Sequence, residues 1–101
     1  MNNQNENDIF PMELVKSPKQ IEFDAFVERL KKEVVRFCYT KKYGTTRVAR
    51  GTLCPDFISE AGNHVDKKEY GHTQIYFDLD AENGLGDWRA FIIENFISDV
   101  K

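Results

Sequence analysis

Cysteine, proline and tryptophan are scarce in this 101-residue chain, which holds two, three and one of them respectively. Two cysteines are too few to staple a disulfide-built mini-protein, and both are expected to remain thiols in a reducing compartment. No run of eighteen apolar residues occurs and the mean hydropathy is -0.57, so no segment reads as a membrane-spanning helix. The first twenty residues lack the basic start and apolar stretch of a secretory leader, which makes the cytoplasm the expected location. Cys38, Cys54, His64 and His72 carry zinc-binding atoms, but they are spread without the close pairs that mark a structural zinc site. Gly84-Leu85-Gly86 stands alone rather than in a phosphate-cradling glycine loop. No spacing holds Cys54 against His64 or His72 as a nucleophile with its base. The expectation is a non-enzymatic protein with no cofactor and no metal.

Charge is unevenly distributed. The net charge is -3, yet residues 14 to 50 carry ten bases against four acids, whereas residues 51 to 101 carry four bases against ten acids. Such a chain either pairs its halves or displays a basic patch. The length suits one domain. Residues 1–19 read as an extended arm: MNNQNEND lacks periodicity, and Pro11 and Pro18 disfavour helix at the residues before them. Ile9, Phe10, Met12, Leu14 and Val15 make the arm apolar enough to dock on the domain or on a partner.

Apolar residues at Ile21, Phe23, Phe26, Val27 and Leu30 recur near the helical period, which predicts an amphipathic helix over 21–32 that covers a sheet. Beyond Glu33 the pattern turns to strands. In Val34–Thr40, Val35, Phe37 and Tyr39 alternate with Arg36, Cys38 and Thr40. Lys41–Gly44 reads as a hairpin turn, and Thr45–Leu53 as the returning strand. Gly51 within that strand marks a bulge, a bend or a close backbone approach, as at the corner of a small barrel. Residues 54–73 form a long polar excursion of the kind that is functional or mobile. Gln74–Asp80 alternates, with Ile75, Phe77 and Leu79 on one side and Tyr76, Asp78 and Asp80 on the other. Asp87–Glu94 and Phe96–Val100 complete five strands.

The ordered segments VRFCYTKKYG, TRVARGTLCPDFI, YFDLD and GDWRAFIIENFI resemble the small Sm-like, SH3-like barrel proteins related to the WYL domain, found in Bacteroidales and their phages. The resemblance covers about residues 20 to 100. It implies an α+β, mainly β domain: a five-stranded SH3-like/Sm-like barrel preceded by one amphipathic helix. It implies no established activity. In larger WYL-domain regulators, basic residues in the segment similar to WRAFIIENF are thought to meet nucleotide or nucleic-acid ligands. Arg89 and Phe91 match that pattern, whereas Ile92 and Asn95 stand at its later basic positions.

The candidate binding residues are Arg36, Lys41, Lys42, Tyr43, Arg47, Arg50, Trp88 and Arg89. The first six lie on one predicted hairpin, where strand pairing would gather their side chains. Lysines beside Tyr43 suit phosphates with a stacked base, as in single-strand binders. The sequence pI of 5.4 lies well below that of dedicated nucleic-acid binders. Trp88 beside Arg89 is either an exposed anchor or a residue that packs under the helix or caps the barrel. Asp78, Asp80, Glu82 and Asp87 lack the remaining ligands of a calcium loop, so Asp78 is expected to pair with Arg47, Arg50 or Arg89. The leading expectation is a barrel module that binds nucleic acid, a nucleotide-like anion or a partner protein through the basic first hairpin and the neighbouring Tyr43, Trp88 and Arg89. A partner protein, met through the arm, the helix or a barrel edge, is the alternative, with self-association open and no membrane contact expected.

Overall fold

The computed structural model describes residues 16–100. The apolar arm residues Ile9 to Val15 lie outside this span. Ser17 opens the first helix, α1 (Pro18–Leu30), by accepting a hydrogen bond at its hydroxyl from the Gln20 N–H at 3.1 Å. The helix therefore begins three residues before the sequence-based expectation. Pro18 starts it rather than blocking it, because a first-turn proline lacks only an N–H that has no intrahelical partner. Phe23, Phe26 and Leu30 are buried on one face, while Ile21, expected there, is exposed.

Five strands follow: β1 (Val35–Thr40), β2 (Thr46–Thr52), β3 (Thr73–Asp78), β4 (Asp87–Ile92) and β5 (Phe96–Asp99). They form one antiparallel sheet in the order β4-β3-β2-β1-β5. Val35, Phe37 and Tyr39 point inward as their alternation predicts. Gly44 sits in the β1–β2 turn with φ of +94°. β2 then changes partners along its length. It lies against β1 from Thr46 to Gly51 but meets β3 only at Gly51 and Thr52.

Gly51 makes this corner possible by close approach. A Cβ there would come within 2.5 Å of the Tyr76 ring and 3.2 Å of the Phe77 carbonyl oxygen. α1 covers one end of the curled sheet, with Phe26 stacked on Phe96 at 4.6 Å and tilted against Phe37 at 4.8 Å. The aromatic interior continues through Tyr39, Tyr76 and Phe91. Fully buried Thr52 ties sheet to helix: its hydroxyl lies 3.1 Å from the Leu30 carbonyl and 2.8 Å from that of Glu33, and it accepts from the Cys54 N–H at 2.9 Å.

Two expectations change here. β3 is buried on both faces around its C-terminal half, with Tyr76, Phe77 and Asp78 all at 2% exposure or less. Tyr76 and Asp78 face the interior, and Phe77 turns outward under a cover. That cover is the excursion after β2, which is structured: a 3-10 turn at Pro55–Phe57 leads into a short helix, α2 (Glu60–Asn63), and Ile58 is buried. Residues expected to be a polar loop thus form a second, smaller apolar layer.

Candidate binding cleft

The β1–β2 hairpin and β4 enclose a cavity of about 500 Å³. Its wall includes Lys41, Lys42 and Arg47 from the hairpin side and Trp88 and Arg89 from β4. Five of the eight sequence-derived candidates therefore meet at one cleft. The other three do not join it. Arg36 and Arg50 stand directly opposite each other in the β1–β2 register, on the outer face, and Arg50 is held by Asp80 at 2.8 Å. Tyr43 is 88% exposed at the hairpin tip, outside the cavity, with the Lys42 ammonium 5.8 Å from its ring centroid. The hairpin does not gather its bases into one patch, because side chains alternate between the two faces of a strand pair.

The cleft is built on paired tyrosines. Tyr39 lies opposite Arg47, and Tyr76 opposite Arg89. The Tyr39 and Tyr76 hydroxyls are 2.8 Å apart, and Tyr39 stacks on Phe91 at 4.6 Å. Burial, followed by the hydrogen bond with Tyr39, pushes the Tyr76 phenol above its ordinary pKa of 10.0. Asp78, 1% exposed, receives Arg47 at 2.6 Å and lies 3.6 Å from Arg89. The acidic and basic parts of the chain therefore do meet, and Asp78 takes Arg47 and Arg89 while Arg50 turns to Asp80. Burial opposes the Arg47 charge, but the hydrogen bond to Asp78 and contact with Tyr76 hold its pKa above the ordinary range.

The electrostatic balance of the cleft is positive. Four bases line it (Lys41, Lys42, Arg47 and Arg89), and among the described residues no Asp or Glu does. Setting the buried Asp78 against these four leaves a balance of three positive charges among the described residues. The Nε of Arg47 is buried without a hydrogen-bond partner. Such a cavity can hold an anion of phosphate type beside an aromatic or apolar group.

Trp88 and Arg89 face opposite sides of β4, so they do not form one side-by-side anchor. Trp88 packs neither under the helix nor over the barrel end. It lies against Phe77 at 5.4 Å, and its Nε1–H donates to the Gly62 carbonyl at 2.9 Å. The missed participants are Tyr39 and Tyr76. The alternation of Tyr39 is legible in the sequence, but Tyr76 falls on the side of Asp78 and Asp80, and the pairing of β1 with β2 and of β3 with β4 that places both tyrosines opposite arginines is not legible.

A helix-led, strongly curled sheet of five short antiparallel strands defines a small β-barrel. A family model described as WYL_2, Sm-like SH3 beta-barrel fold, matches residues 23–97, and the chain belongs to this family. No match was found among curated proteins or solved structures. Among the described residues, no helix is long and apolar enough to cross a membrane.

Proposed function

We propose that this barrel is a non-enzymatic binding module that takes a phosphate-bearing ligand, single-stranded nucleic acid, in the cleft between the first hairpin and β4. The observation that carries the reading is the set of four bases lining the cleft, joined by no acidic side chain among the described residues. Lys41 and Lys42, exposed at the mouth, supply mobile charges for phosphate oxygens. Arg47 is hydrogen-bonded to Asp78, so its remaining donors are already oriented, and Arg89 stands 3.6 Å from the same carboxylate. The acidic net charge of the whole chain does not oppose this, because charges beyond about 8–10 Å are largely screened at physiological salt.

The test is fluorescence anisotropy with short single-stranded DNA and RNA at low and moderate salt. Affinity must fall as salt rises, since each neutralised phosphate releases counterions. Lys41→Glu combined with Lys42→Glu is expected to abolish binding while leaving the fold intact, both side chains being exposed. Absence of binding at low salt, or a double variant that binds normally, overturns the reading.

A second reading, association through a sheet edge, draws on the position of β4 and β5 at the two ends of the strand order. Edge strands present unpaired backbone donors and acceptors to another chain. Light scattering across a concentration series separates it from the first: a constant monomer mass removes it.

A further inference from the structure

Trp88 lines two cavities. One is the cleft already described. The other, about 300 Å³, lies on the far side, where Val65, Lys67 and Lys68 of the excursion face Ile75 of β3 and the outer side of β4. The two cavities share Trp88, Arg89 and Ala90 as a common wall. The volume of the second is at the lower end for small-ligand sites, about 300–1,000 Å³.

Trp88 is held as a platform. Phe77 meets it edge to face, and the hydrogen bond to Gly62 fixes the indole plane. The Lys67 ammonium lies 4.7 Å from the ring centroid, covering the indole with a cation. Lys67 and Lys68 are both exposed, and the one acid at this cavity is Asp66. An aromatic face beside two mobile ammonium groups, continuous with a cationic cleft, suits a base and its neighbouring phosphate.

We infer that the binding track crosses β4, with a second subsite on Trp88 in which a base displaces Lys67 from the indole and the freed ammonium meets the adjoining phosphate. The occupant is then a single-stranded oligonucleotide that spans both cavities, rather than a mononucleotide. This inference rests on the reading of the first cleft as a phosphate site.

Isothermal titration calorimetry with thymidine monophosphate, a dithymidylate and a hexathymidylate tests it, alongside emission from Trp88, the sole tryptophan. Hexathymidylate is expected to bind at least about tenfold more tightly than the monophosphate and to quench the emission, in keeping with the contribution of one stacked base. Lys67→Glu with Lys68→Glu is expected to remove that tenfold gain and leave monophosphate binding unchanged. Trp88→Phe, followed by anisotropy of a labelled hexamer, is expected to retain part of the gain because a ring remains. If the hexamer binds no better than the monophosphate, or the lysine pair affects both ligands equally, the second subsite is overturned while the first stands. If neither ligand binds at low salt, both fail.

Discussion

Arg47 and Asp78, 31 residues apart in sequence, form a 2.6 Å ion pair whose carboxylate is 1% exposed and whose guanidinium side chain is 33% exposed. The pair is placed by the β2 corner: Gly51 stands opposite Asp78 in the β2–β3 register, and Arg47 lies on the same face of β2. It serves structure and site together, since it orients a donor of the cleft and neutralises part of its charge.

Asp78→Ala leaves Arg47 and Arg89 without their shared acceptor. Breaking a fully buried pair costs about 3–5 kcal/mol. Solvent reaches the arginine end here, so a loss of about 2–3 kcal/mol is expected in urea denaturation. Asp78→Asn keeps an acceptor and is expected to lose less. It also adds one positive charge to the cleft, so oligonucleotide affinity is expected to rise and its salt dependence to steepen.

Thr52→Val preserves shape and removes the hydroxyl between the Leu30 and Glu33 carbonyls and the Cys54 N–H. Leaving buried polar groups unmatched costs about 1–3 kcal/mol. Thermal unfolding is expected to show this loss, with amide exchange faster at Cys54 in particular.

Gly51→Ala drives a methyl group into the Tyr76 ring, which is 0% exposed and cannot swing into solvent. Overpacking of this kind costs about 1–3 kcal/mol. Equilibrium unfolding is expected to register it, and NMR shifts are expected to concentrate at Tyr39, Tyr76 and Phe91. Normal stability would show that the β2 corner opens freely.

Alkaline pH offers a separate check. Tyr76 has its folded pKa raised above 10.0, so its contribution to stability is complete below that pH and is lost as pH rises towards the folded value. Ultraviolet phenolate titration is expected to show Tyr76 silent through pH 10, with its signal arriving as the fold opens. Tyr76→Phe removes that late step and leaves the Tyr39 hydroxyl without its partner.

The helix and the five strands were legible because each buries mainly one face, and burial on one face leaves a period in the sequence. β3 escaped this logic. Phe77 is apolar for the outer layer and Tyr76 for the inner one, so alternation locates the segment without showing that both of its faces are covered. The excursion was read as polar because Ile58 and Gly62 contribute to the outer layer from a turn and a four-residue helix, too short to carry a period. Pro18 keeps Ser17 out of the helix, as its ring requires, but is itself the first helical residue rather than part of an extended arm. In the site, the identity of the cationic residues was visible, but their division between two faces depends on register, and the tyrosine pair beneath them on contacts between distant strands. The charge asymmetry along the chain was the long-range clue that did survive, in Arg47 with Asp78 and Arg50 with Asp80.

β1 sits between β2, its neighbour across a short turn, and β5, whose Ser98 lies opposite Cys38 some 60 residues later. During synthesis α1 and the first hairpin emerge early but leave Phe23 and Phe26 partly uncovered until Phe96 arrives to pack on both. Closing so wide a loop is slow compared with hairpin formation. A ribosome paused before Phe96 would therefore hold a sticky half-shell, and trimming those last few strand residues should send the product towards aggregation rather than towards a smaller folded protein.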